Sequence, residues 1–221
     1  MKQAKPILIF LGKFLLIFIA LATLYHSLLD KPYTRILGKN IESFYDGTFG
    51  KNGTRDVQLP GLENKKNDQI RIFIMDEDMK NKYRQQAVQA QQRNEKMLPF
   101  KPPLIEIDTW VHAGLYLVFF IALVLSSAVN WKRALIAILA GLIILHLFFI
   151  LKTGLRIHFE AFANGIGGVS LGSFGKGFFG FLNNLFRLVG GNLLIVLLLW
   201  LLIAFGRGDY DKLLQKLLPA E

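Results

Sequence analysis

Apolar and polar positions fall along this chain in long blocks. From Trp110 to Val129, and again from Ala134 to Leu151, no Asp, Glu, Lys or Arg interrupts the apolar run, and only Asn130-Trp131-Lys132-Arg133 separates the two. Each run is about as long as a helix needs to cross roughly 30 Å of hydrocarbon. Residues 109–151 therefore predict a transmembrane hairpin, helices 2 and 3. A further run from Pro6 to Leu29 contains only Lys13, close enough to its start to snorkel to the interface. Residues 1–29 read as a signal anchor, helix 1. Ala20-Leu21-Ala22 has the small-x-small form of a cleavage site, but the apolar pattern continues through Tyr25 to Leu29, which favours an uncleaved anchor. Residues 191–206 give helix 4.

Between helices 1 and 2 lies the one sizeable polar segment, 30–108. Past Pro32, the residues Ile36, Leu37, Ile41 and Phe44 recur at helical spacing and predict a short helix on the interface. Gly47, Gly50 and Gly53 mark turns, and Asp56-Val57-Gln58-Leu59-Pro60 is a strand candidate. Residues 69–75 form the strongest strand, rich in Ile and Phe. Asp76-Glu77-Asp78 then suit the amino end of a helix that runs to about Lys96, with Met79, Tyr83, Ala87 and Ala90 as its thin apolar stripe. Leu98 to Pro103 stops that helix, and Leu104 to Asp108 alternates as a strand leading straight into helix 2. The fold class expected is a membrane all-α protein: four transmembrane helices with a small extracytoplasmic α+β insertion between helices 1 and 2.

Residues 152–190 combine nine glycines with Phe174, Phe178, Phe179, Phe181 and Phe186, too apolar for an ordinary loop. A re-entrant turn and an interfacial helix both fit, and Lys176, Asn183, Asn184 and Arg187 favour the interfacial form. The tail, 207–221, sets Leu213, Leu214, Leu217 and Leu218 beside Lys212 and Lys216, the pattern of a cytoplasmic amphipathic helix.

Charge refines this picture. The chain carries a formal +10, yet residues 30–108 hold 14 Lys/Arg against 12 Asp/Glu, so the excess flanks the apolar runs. Membrane lipid headgroups, not nucleic acid, are the expected partner for such charge. Lys2, Lys5, Lys132, Arg133, Arg207, Lys212 and Lys216 share one side of a four-span layout. The positive-inside rule makes that side cytoplasmic and puts both termini there. The opposite loop also carries basic residues, but it exceeds the length at which the rule applies.

Chemistry is sparse. There is no cysteine, which removes disulfides, thiolate metal sites and cysteine nucleophiles. The glycines from 167 to 172 lack a lysine-serine ending and follow no strand, so they form no phosphate loop. All four histidines fall toward one membrane face, and Asp108, His112 and Tyr116 are spaced i, i+4, i+8, with His146 descending to the same level. These four define a candidate outer-leaflet polar pocket. A divalent metal held by imidazoles with Asp108 or Glu160 is its sharpest reading, although no compact metal-ligand spacing is present. Solvated interfacial histidines, with His146 hydrogen-bonded to a neighbouring helix, are the plainer one. Lys152, Arg156 and Glu160 continue a helical series just outside span three, and with Phe178 they are the candidate contacts to lipid or to a membrane-protein partner, a second copy of the chain included. No cofactor is expected beyond that possible metal.

Several of these residues together carry a resemblance. A signal anchor leading into Pro32-Tyr33-Thr34, a small strand-containing external insertion, Leu104-Ile105-Glu106-Ile107-Asp108 entering span two, and a hairpin turned on Trp131-Lys132-Arg133 resemble the small exosortase-associated membrane proteins. That resemblance implies a four-span accessory protein of the bacterial cytoplasmic membrane, accompanying a protein-sorting system. The sorting enzymes themselves use a cysteine nucleophile with Arg and His, and this chain has no cysteine, so the implied role is not catalytic. A transporter or channel subunit, and a metal-binding intramembrane protein, are the alternatives from other classes.

Overall fold

A computed structural model of the chain describes residues 4–45, 53–58, 69–92, 104–127, 130–163 and 172–204. The expected tail helix, the glycines from 165 to 168 and the segment from Arg93 to Pro103 lie outside them. In chain order the elements are α1 (Ala4–Leu24), a π-helical turn (Tyr25–Leu29), α2 (Asp30–Tyr45), β1 (Gly53–Gln58), β2 (Gln69–Asp76), α3 (Glu77–Gln92) and β3 (Leu104–Asp108). A second π turn (Trp110–Gly114) then leads into α4 (Leu115–Ser126), followed by α5 (Trp131–Ala163), α6 (Ser173–Arg187) and α7 (Val189–Ala204). The protein is mostly helical, with a small antiparallel sheet between its first helices. Ile7–Phe44 and Trp131–Ala163 are long and apolar enough to cross a membrane, and α6 with α7 makes a third such segment if the bent pair is one span. This is a multi-pass membrane protein.

The chain divides into two compact units. The first comprises residues 1–30, 110–149 and 188–221. Its centre is α4, whose side chains are buried nearly all round: Tyr116, Leu117, Val118, Phe120, Ala122, Leu123 and Val124. A helix with no polar face must be surrounded, and α4 is. It touches α1 and α7, and Gly141 of α5 lies so close to the Phe120 ring that there is no room for a Cβ. Directions follow from the ring contacts. Phe14 and Phe18 meet Phe119, at 5.2 and 6.3 Å, while Tyr25 meets Trp110 at 5.2 Å, so α1 and α4 are antiparallel. Phe120 lies against Gly141 and Tyr116 against Phe149, which makes α4 and α5 antiparallel as well. Asn192 bonds Tyr116 and Trp200 bonds Ser127, so α7 runs parallel to α4.

Small residues let apolar helices approach in a membrane, where packing substitutes for the hydrophobic effect. Gly141→Ala is expected to lower bundle stability by about 1–3 kcal/mol, because Phe120 is fully enclosed and cannot swing aside. Detergent-unfolding midpoints check this; an unchanged midpoint would show that α4 and α5 are not tightly packed there.

The second unit comprises residues 31–109 and 150–187. Its sheet has the order β1-β2-β3, antiparallel throughout. Ile70 pairs with Ile107 and Ile72 with Ile105, and together with Ile74 they form one fully buried face. On the other face Arg71 pairs with Glu106 at 3.2 Å, both about half exposed, a cross-strand ion pair worth at most about 1 kcal/mol. β2 and β3 fall where the alternation of Ile with polar residues predicts them, and α3 begins among the acids that suit a helix start; β1 begins at Gly53, read from the sequence as a turn, and overlaps the Asp56–Pro60 candidate only over residues 56–58.

One helix boundary differs from the sequence expectation. The interfacial helix after Pro32 is not separate: Ile7–Phe44 is one helical stretch of 38 residues. The π turn is the local adjustment, with the Asp30 N–H donating to the Tyr25 carbonyl five residues back. Pro32 has no N–H for the carbonyl four residues before it, and a widened turn just upstream lets the helix pass the ring. The buried stripe of α2 is Thr34, Leu37 and Ile41, with Ile36 and Phe44 exposed. α5 runs twelve residues past Leu151 to Ala163, so the helical series of Lys152, Arg156 and Glu160 expected just outside span three is part of it.

Candidate functional site

Polar and aromatic groups gather at one end of the first unit, around the two π turns. A π turn adds a residue to the helical repeat and re-aims the side chains that follow. Here it brings Tyr25 and His26 onto Trp110, at 5.2 and 4.3 Å between ring centroids. Gly114 allows this. A Cβ there would lie 2.6 Å from the Tyr25 ring. His26 Nδ1 stands 3.7 Å from Asp30 Oδ2.

Below that pair, His112 and Tyr116 both approach Phe149 of α5, at 6.2 and 5.9 Å. The Asn192 amide of α7 is buried, donating to Tyr116 Oη at 3.3 Å and to the Leu188 carbonyl at 3.1 Å. Buried polar groups inside a bundle must find partners, and an interhelical bond of this kind contributes roughly 0.6 kcal/mol while fixing register. At the far end Trp200 Nε1 donates to Ser127 Oγ at 3.0 Å, so α4 and α7 are tied twice.

His112 and Tyr116 of the expected pocket thus share one cluster. His146 is half-buried on α5, one turn before Phe149. Asp108 belongs to the other unit. It closes strand β3, and a π turn follows, so the spacing 108–112–116 does not trace a single helical face. Among the described residues no three His, Asp or Glu side chains are grouped as a metal site would require. The sequence reading passed over Asn192, Tyr25 and Trp110. The signal for Asn192 was present: it is the only side chain in Val189–Ala204 with a hydrogen-bonding amide.

The second unit holds the other candidates. Along α5, Ile150, Thr153, Ile157 and Ala161 form a buried stripe, and Lys152 is buried beside it. Arg156 Nη1 donates to the Glu106 carbonyl of β3 at 3.4 Å, fastening helix to sheet. Glu160 is half-buried one turn further on. In α6, Asn183 is buried, Gly180 faces Phe159 of α5, and Lys176 Nζ stands 5.4 Å from the centre of the Phe162 ring. Phe174, Phe178, Phe181 and Leu185, spaced by three and four, line its exposed side. Residues 173–187 are therefore one amphipathic helix.

Compared with protein-family models, with curated proteins and with solved structures, the chain matches none.

Proposed function

We propose that this chain is a non-catalytic accessory protein of a bacterial cytoplasmic membrane, crossing it four times and holding a membrane-protein partner through its second unit. The alternation of helix directions in the first unit supports four crossings: α1 one way, α4 back, α5 forward, α7 back. The helix Trp110–Ser126 is short for a span, but its enclosure by the other three helices gives it a place in the bilayer. Trp110 and Tyr25 at one end and Trp131 and Trp200 toward the other suit the two interfaces. On this reading both termini are cytoplasmic, the sheet and α3 are extracytoplasmic, and the partner belongs to an exosortase-type sorting or envelope-export system.

The observation that carries the partner role is α6. It packs on α5 through one side and leaves Phe174, Phe178, Phe181 and Leu185 on the other. A helix with that amphipathicity lies along a membrane interface or against another membrane protein, not in bulk water. A transport path is less well supported, because the middle of the first unit is filled by Tyr116, Phe120 and Val124.

Photo-crosslinking in native membranes tests the proposal, with the reactive residue placed at Tyr83, Arg156 or Phe178. Recurrent capture of one other membrane protein is expected from Phe178. Capture of lipid alone from all three positions would overturn the accessory role, and capture of a second copy would make the assembly homo-oligomeric.

A further inference from the structure

We infer that the exposed side of α2 binds anionic phospholipid headgroups through a row of three cations, Lys31, Arg35 and Lys39. The inference takes from the reading above only that the helix Ile7–Phe44 crosses the membrane; it needs neither a protein partner nor a choice of which side is cytoplasmic.

The near-balance of charge over residues 30–108 conceals a local separation. Lys31, Arg35 and Lys39 recur every four residues of α2, so they stand in one row about 12 Å long. All three are exposed, while Thr34, Leu37, Gly38 and Ile41 form the buried stripe of the same helix. No ion pair or side-chain hydrogen bond among the described residues engages any of the three. The acids of α2 stand at the ends of the row: Asp30, 3.7 Å from His26, before it, and Glu42, one turn beyond Lys39, after it. Like charges four residues apart repel. An anionic surface laid along the row relieves all of that repulsion at once.

Position and neighbouring apolar groups select the occupant. The row starts two residues after the apolar run that ends at Leu29, and it belongs to the same helical stretch as that run. Cations set just beyond a span meet the layer of lipid phosphates, and the long stems of Lys and Arg reach back toward it. The attraction acts over about 8 Å at physiological ionic strength, so a headgroup need not touch every cation to be held. The exposed surface of α2 also carries two apolar side chains, Ile36 and Phe44. A bilayer surface complements both kinds of group, with phosphate for the cations and acyl chain for Ile36 and Phe44. An acidic protein segment answers only the first.

The test uses the full chain reconstituted in vesicles of phosphatidylcholine and phosphatidylglycerol. Both leaflets then hold the anionic lipid, and the result does not depend on the direction of insertion. Ser43→Cys, at an exposed position of α2, carries a fluorophore that spin-labelled phosphatidylglycerol or spin-labelled phosphatidylcholine can quench. Phosphatidylglycerol is expected to quench more strongly, and added salt to reduce the difference. Arg35→Gln with Lys39→Gln is expected to weaken the selective binding by roughly tenfold or more, as the loss of two cations near an anionic surface implies. Arg35→Lys with Lys39→Arg keeps the row and should keep the preference. Lys82→Gln with Arg84→Gln removes the same charge from exposed positions of α3 and should leave the preference unchanged. Equal quenching by the two lipids, quenching by neither, or a preference lost as much in the α3 pair as in the α2 pair would overturn the site. Cross-linking from position 43 in native membranes to an acidic segment of another protein, in place of lipid, would assign the row to that protein instead. None of these outcomes alters the capture expected from Phe178, so the site and the accessory role stand or fall separately.

Discussion

Ile72→Asp is expected to unfold the second unit and leave the first intact. Ile72 is fully buried at the middle of β2, between Ile70 and Ile74, opposite Ile105 on one side and Val57 on the other. A carboxylate there would have no water and no place in the sheet's hydrogen bonding. The loss of apolar burial and the cost of enclosing an acid together exceed about 4 kcal/mol. A three-stranded sheet supplies little core to absorb this. Limited proteolysis of detergent-solubilised protein should therefore cut rapidly between residues 31 and 109, while α4 and the adjoining part of α5 survive as a protected fragment. Arg71→Gln is the contrast: it removes the exposed pair with Glu106 and should change stability by less than about 1 kcal/mol. Equal loss of both units in Ile72→Asp would mean that they fold as a single cooperative body.

The apolar helices and the sheet were legible in the sequence for simple reasons. Twenty uncharged residues from Trp110 to Val129 leave few options in water, and Ile70, Ile72 and Ile74 alternate with the period of a strand. The placement of α3 behind Asp76, Glu77 and Asp78 followed from their preference for a helix amino end. Helix continuity was less legible. Pro32 reads as a stop because composition does not reveal the π turn that accommodates it. The tie between Asn192 and Tyr116 joins residues 76 positions apart. It is set by which helices become neighbours, and no local pattern carries that. The spacing 108–112–116 misled in another way: it assumed helix across Asp108, where the backbone is a strand.

Single cysteines are expected to report opposite sides of the membrane at Lys82 and Lys132, and the same side at Lys82 and Ser173. The chain has no cysteine of its own, so each variant carries one reactive thiol and needs no background correction. All three positions are exposed, on α3, at the start of α5 and at the start of α6, so accessibility to a membrane-impermeant maleimide depends on topology and not on burial. The physical choice lies with α4. Crossing the bilayer costs little in polar exposure, since its side chains are apolar almost without exception, and on the proposed topology it leaves Lys132 and Arg133 on the cytoplasmic side, where the positive-inside rule prefers them. Remaining on the outer side would carry that apolar helix into water together with exposed Trp131. In intact cells Lys82→Cys and Ser173→Cys should label fully, and Lys132→Cys only after permeabilisation. Labelling at Lys132→Cys from the same side as Lys82→Cys would remove α4 from the spanning helices and with it the four-span architecture. Protection of Ser173→Cys on the outside would place the start of α6 in or across the bilayer, and the stripe of Phe174, Phe178 and Phe181 would then belong to a buried re-entrant segment instead of an interfacial helix.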